Sequence, residues 1–215
     1  MDQNKLFSPK VLKHHEGMES FVSLSGNYFK VAQELREKSK RDKKGMPSHF
    51  YVFPSVIMYV SSLEAFFSEC LALALFSNKG NDKLIQLKAQ NHPYGDFKSW
   101  IEEIFLIFDV KRVEVDFGGE LFQNLTALKE LRNSAAHYNP DFIKHIHWPK
   151  RLRQVLNKSK IEVVNGGWVD NFSRPVVADW AYETIKSVIV TFCDISGWED
   201  PFTRSYPFGW ESTNE

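Results

Sequence analysis

The stretch Pro54-Ser55-Val56-Ile57-Met58-Tyr59-Val60-Ser61-Ser62-Leu63-Glu64-Ala65-Phe66-Phe67-Ser68-Glu69-Cys70-Leu71-Ala72-Leu73-Ala74-Leu75 decides the fold. Val56, Val60, Leu63, Phe67, Cys70 and Ala74 recur at alternating spacings of 4 and 3, which is one stripe of an α-helix. Met58, Phe66, Leu71, Leu73 and Leu75 fill its other faces. A helix apolar nearly all round belongs at the centre of its domain. Pro54 suits a first helical turn, where its missing N–H costs nothing, so the helix is expected to begin there. Ser and Glu interrupt the apolar run, so no membrane span is expected.

Upstream, residues 16–38 carry Phe21, Leu24, Tyr28, Val31 and Leu35 as one amphipathic stripe. The cations Lys38, Lys40, Arg41, Lys43 and Lys44, followed by Gly45 and Pro47, mark a helix end and a solvated linker. Downstream come a turn at 78–81, a short helix over 82–90, a break at His92-Pro93-Tyr94-Gly95 and a helix over 97–108. Val113, Val115 and Phe117 alternate with charges, as in a short strand or an extended connector. Gly118-Gly119 then opens a helix with Leu121, Leu125, Leu128, Leu131 and Ala135 on one face. Pro140 should stop it near Tyr138.

Residues 141–173 are the least periodic part, a basic insert in which Ile161-Glu162-Val163-Val164, Asn165-Gly166-Gly167 and Trp168-Val169 read as a β-hairpin. The last helix runs from Pro175 to Ser196 and is closed by Gly197. The tail, 197–215, keeps Trp198, Phe202, Tyr206, Phe208 and Trp210, so it is expected to pack on the domain or on a partner. The sum is one all-α domain over 1–215: a four-helix up-and-down bundle with short extra helices and a small β-hairpin insert.

Composition narrows the function. With 27 basic and 27 acidic residues in 215, the chain has no net formal charge, which excludes a wholly basic nucleic-acid coat. At 43% hydrophobic with 18 Phe, it is not a disordered chain. Cys70 and Cys193 fall in apolar helical patterns and read as buried thiols. The opening Met1-Asp2-Gln3-Asn4-Lys5 has no signal-peptide core, so a cytoplasmic protein is expected. No phosphate-binding glycine loop, dinucleotide fingerprint, nucleophile elbow or paired Cys-x-x-Cys is present, and no cofactor is expected. His145, His147 and Asp141, like His14-His15, lack further ligands at a recognisable spacing, so no metal is expected either.

One segment stands apart: Leu131-Arg132-Asn133-Ser134-Ala135-Ala136-His137-Tyr138-Asn139-Pro140. Arg132 continues the line of Leu125 and Leu128, and a guanidinium there needs an anion to meet it. Glu64 borders the buried stripe of the core helix and is the natural partner. His137 follows Arg132 by five residues, so on a regular helix their side chains diverge by about 140°. Either the helix loosens before Pro140, or the same segment of a second chain completes the site across a two-fold axis. The bland alternative makes Arg132 a structural salt-bridge partner and His137 a helix-end residue favoured by the dipole.

Arg, a polar residue, then His after four intervening positions, late in a four-helix domain and with an acidic residue on the core helix, resembles the RNase-type motif of the HEPN superfamily. The resemblance covers residues 16–140 and 175–196. It implies metal-independent RNA cleavage at a cleft between two protomers, with Arg132, His137 and Asn133 catalytic and Glu64 and Tyr138 supporting them. It also implies a toxin or phage-defence effector, with RNA as substrate and an antitoxin or inhibitor protein as a partner. A non-catalytic dimerisation or binding module of the same fold is the alternative. Lys144, Lys150, Arg151 and Arg153, with Lys158, Lys160 and Trp148, form a stretch without an acid that suits RNA phosphates and a stacked base.

Overall fold

A computed structural model describes residues 24–41, 48–77, 97–107, 115–137, 152, 161–162, 167–198 and 200–202. Among these the secondary structure is helical: α1 Ser25–Arg41, α2 His49–Ser77, α3 Phe97–Ile107, α4 Glu120–Ala136, α5 Trp168–Phe172 and α6 Pro175–Ser196. The short helix expected over 82–90 lies outside the described residues.

Helix α2 is the centre, as its all-round apolar sequence requires. It packs against each of the other five helices, and Val56, Val60, Leu63, Phe67 and Cys70 are all buried along it. Its start differs from expectation. The helix begins at His49, so Pro54 sits inside it. The N–H groups of Tyr51 and Val52 both donate to the Ser48 carbonyl, which forms the first turn before the proline is reached. The stretch Phe50–Ala72 is long and apolar enough to cross a membrane by length and composition alone. Its polar groups, however, bond within the bundle: Ser55 Oγ donates to the Ala32 carbonyl of α1 at 2.9 Å and Ser62 Oγ to the Tyr59 carbonyl at 2.7 Å.

Cross-helix contacts fix the directions. Glu69, late in α2, accepts hydrogen bonds from the Leu24 and Ser25 N–H groups at the start of α1, while Ser55, early in α2, reaches Ala32; the two helices are therefore antiparallel. Tyr59 meets Tyr182 and Phe67 meets Phe192 at ring distances of 5.9 and 5.1 Å, so α6 runs parallel to α2. Arg132, late in α4, reaches Glu64 in mid-α2. Phe122, early in α4, packs through Phe105 towards Phe67, so α4 is antiparallel to α2. The core is aromatic: Phe66, Phe67, Phe105, Phe117, Phe122 and Phe192 pack mostly edge to face at one end. Phe29, Tyr59, Tyr182 and Phe202 do so at the other.

On α1 the buried face is Ser25, Gly26, Phe29, Ala32 and Ser39, one register away from the expected stripe. Leu24 and Val31 are exposed, and Tyr28 and Leu35 half-buried. The largest aromatic anchor, Phe29, goes into the core between Tyr59, Tyr182 and Phe202 and sets the rotation of the helix.

Residues 115–119 form the connector into α4. Asp116 Oδ1 accepts the Gly118 N–H at 2.9 Å, and a Cβ on Gly119 would press on the Asp116 carboxylate at 2.8 Å and on its backbone carbonyl at 3.0 Å, so a larger residue there would crowd the turn. The hairpin is corrected at its second strand: Trp168 and Val169 open α5. Gly167 leaves the connector in extended geometry and its N–H donates to the Asp170 carboxylate at 2.7 Å, a cap that a strand has no use for. Trp168 is then seated on Phe53 of α2 at 5.8 Å. Residues 163–166, the rest of the expected turn, lie outside the described residues.

Helix α6 has the expected bounds, with Pro175 in its first turn and Gly197 at φ 71 closing it. Beyond it Trp198 and Pro201 are buried and Phe202 packs on Phe29. Tyr206, Phe208 and Trp210 lie outside the described residues. Cys70 and Cys193 are buried and not joined in a disulfide, and burial pushes both thiols up.

Candidate functional site

Helix α4 buries Phe122, Leu125, Ala127, Leu128 and Leu131, with Leu121 and Ala135 at the rim of that face. This rotation carries Arg132 to the seam with α2. Its Nη2 donates to Glu64 Oε2 at 3.3 Å and its Nη1 to Asn133 Oδ1 at 3.0 Å. The two charged side chains keep 22% and 17% of their surface, so the pair is neither sealed nor solvated. Among the described residues two of the five guanidinium N–H donors of Arg132 are engaged, which leaves capacity for an anion.

Glu64 is under strain in the electrostatic sense. Burial pushes its carboxyl up, and the charges of Arg132 and Lys129 pull it only part of the way back. Its second oxygen, Oε1, is buried with no hydrogen-bond partner among the described residues. Lys129 was not singled out from sequence, although it lies three residues before Arg132 on one helical face, which is the spacing that would have pointed to it.

The helix ends at Ala136, and His137 is its C-cap residue at φ −114 and ψ 36, outside helical geometry, with its N–H donating to the Asn133 carbonyl at 2.9 Å. The helix therefore departs from regular geometry before Pro140, at the residue that carries the imidazole. His137 is exposed, whereas Arg132 faces α2. Arg132, Asn133 and Glu64 are thus brought together, whereas the exposed side chain of His137, about one and a half turns further along, makes no hydrogen bond or ion pair with them among the described residues.

Tyr138 and the basic residues Lys144, Lys150, Arg151 and Arg153 lie outside the described residues. Leu152, between the last two in sequence, is fully buried in the common core. Among the described residues no group of three or more His, Cys, Asp or Glu is placed to hold a metal ion.

Set against protein-family models, curated protein sequences and solved structures, the chain matches none. The likeness to HEPN proteins rests on the motif residues alone.

Proposed function

We infer that the chain is a HEPN-like four-helix up-and-down bundle acting as a metal-independent endoribonuclease. It works as a homodimer, as a toxin or phage-defence effector. The observation that carries this is the state of Arg132: a guanidinium held in place by Glu64 and Asn133, only partly engaged, a short step from an exposed imidazole at a helix end.

In the reaction, His137 takes the proton of a ribose 2′-hydroxyl, whose oxygen attacks the adjacent phosphorus. The bond from phosphorus to the 5′-oxygen breaks, and that oxygen leaves with a proton supplied by an imidazolium. Arg132 donates to the non-bridging oxygens as negative charge grows on them. Asn133 holds the guanidinium and reaches the phosphate, and Tyr138 flanks the scissile nucleotide. The divergence of Arg132 and His137 along one helix is relieved when a second copy supplies the opposing pair across a two-fold axis. Lys144, Lys150, Arg151 and Arg153 hold the flanking phosphates, and the aromatic tail is the surface for an inhibitor protein.

The Arg132–Glu64 ion pair also favours a second function, a non-catalytic binding module in which the pair merely ties α4 to α2. Wild type and His137→Ala, incubated with RNA in EDTA, separate the two. Cleavage by wild type alone, leaving 2′,3′-cyclic phosphate and 5′-hydroxyl ends, supports the nuclease. Intact RNA with both proteins leaves the binding module, and activity lost only on adding EDTA makes the enzyme metal-dependent.

A further inference from the structure

The ion pair of Arg132 and Glu64 has a third charged group beside it. Glu64 keeps 17% of its side-chain surface, its Oε2 accepts from Arg132 Nη2 at 3.3 Å, and its Oε1 is buried with no hydrogen-bond partner among the described residues. Two positive charges act on this carboxylate, Arg132 and Lys129, and both come from α4. Lys129 stands one turn before Arg132. Round the helix it falls between Arg132 and Asn133, about 60° from the first and about 40° from the second. The three half-buried side chains therefore share one face of α4, the face on which Arg132 meets α2.

The α1–α6 seam uses the same chemistry in another arrangement. There Asp179 is bonded directly by two cations of one helix, Arg36 and Lys40, and its carboxyl lies below the ordinary range. Glu64 has its direct bond from Arg132, while Lys129 acts by its charge, and burial still leaves the carboxyl above that range. The compensation of Glu64 is thus thin. When an anion engages the guanidinium, the positive charge facing Glu64 is partly neutralised, and a carboxylate in a half-dry seam is costly unless another cation answers it. Lys129 is placed to be that cation.

We propose that Lys129 is a positioning residue of the site: its ammonium keeps Glu64 compensated while Arg132 engages an RNA phosphate, so that Glu64 goes on holding the guanidinium in place. The proposal rests on RNA being the ligand of Arg132, and Lys129 itself does not touch the phosphate. Removing Lys129 therefore weakens binding only where position 64 carries a charge.

The test titrates a 2′-O-methylated oligoribonucleotide, which lacks the attacking hydroxyl, against wild type, K129M, E64Q and K129M/E64Q at fixed ionic strength. Methionine keeps an unbranched stem and a high helix propensity, and circular dichroism checks the fold. K129M is expected to weaken binding about tenfold where Glu64 is present and by less than about twofold in the E64Q background. K129R restores the charge and should bind like wild type. An equal loss in both backgrounds would mean that Lys129 acts on RNA directly and would overturn the proposal, as would K129M that binds like wild type or K129R as weak as K129M. Wild type that does not bind the oligonucleotide overturns the RNA reading and this role with it. Wild type that binds, with the loss confined to the Glu64 background, and yet leaves unmodified RNA intact supports Lys129 while removing the nuclease. Should E64Q not bind measurably, proton uptake on binding decides: more in K129M than in wild type supports the proposal, and equal uptake overturns it. Should K129M fail to fold, K129Q replaces it with the same outcomes.

Discussion

Two guanidinium groups lie between helices of this bundle, Arg36 on the α1–α6 seam and Arg132 on the α2–α4 seam, and they are held very differently. Arg36 is held tightly: its Nε donates to Asp179 at 2.5 Å, its Cζ lies 4.2 Å from the centre of the Tyr182 ring, and Lys40 joins the same carboxylate at 2.8 Å. Arg132 has a longer contact of 3.3 Å with a carboxylate whose other oxygen has no hydrogen-bond partner among the described residues, and its second nitrogen meets Asn133 at 3.0 Å. The first arrangement closes a seam. The second is a longer contact, on the helix whose end carries the exposed His137.

The sharpest way to break this comparison is to remove each arginine. Arg132→Ala should cut RNA cleavage by roughly a hundredfold or more, the cost of losing a transition-state donor, with helical circular dichroism retained. Wholesale unfolding instead would make the two arginines alike. Arg36→Ala should leave turnover per folded molecule unchanged.

Smaller effects concern stability. Glu69 accepts three bonds at the start of α1, from the Leu24 and Ser25 N–H groups and from Ser25 Oγ, so Glu69→Ala should cost about 2 kcal/mol in urea unfolding. Asp179→Ala removes a partly exposed anion between two cations and should cost about 1–2 kcal/mol.

The two carboxylates also titrate in opposite senses. Burial pushes Asp179 up, but Lys40 and Arg36 outweigh it and hold the group below its ordinary range. Its contribution is therefore complete above that range and is lost as pH falls through the lowered value. Glu64 is raised, so folding is favoured while it is protonated, and that advantage is lost as pH rises through the raised value. Thermal melts at pH 2 and pH 7 should show Asp179→Asn destabilised less at pH 2 than at pH 7. Glu64→Gln should melt no lower than wild type at pH 7, and a clear drop would mean that its ion pair outweighs its burial.

Much of the helical framework was legible because local signals agreed. Proline in the first turn and a left-handed glycine at the end gave α6 its bounds, and the apolar run of α2 gave the centre. The misreadings came where packing decided between equal local patterns. On α1 the choice of face was made by Phe29 finding Tyr59 and Tyr182, partners invisible along the chain. At Trp168 a carboxylate cap and a stacking partner turned β-forming residues into a helix. The Glu64–Arg132 pair was readable because each residue bordered an apolar stripe and needed a counter-charge. Arg36–Asp179, 143 residues apart, offered no such hint.

The Glu69 carboxylate that terminates α1 has a consequence for biosynthesis. The acceptor for the first amide of α1, that of Ser25, lies 44 residues further along the chain. As the polypeptide leaves the ribosome, the earliest of these helices is therefore obliged to wait, its leading turn open to solvent, until most of its antiparallel neighbour has been made. Only then does the pair lock, and the helix made first becomes secure no sooner than the one made second.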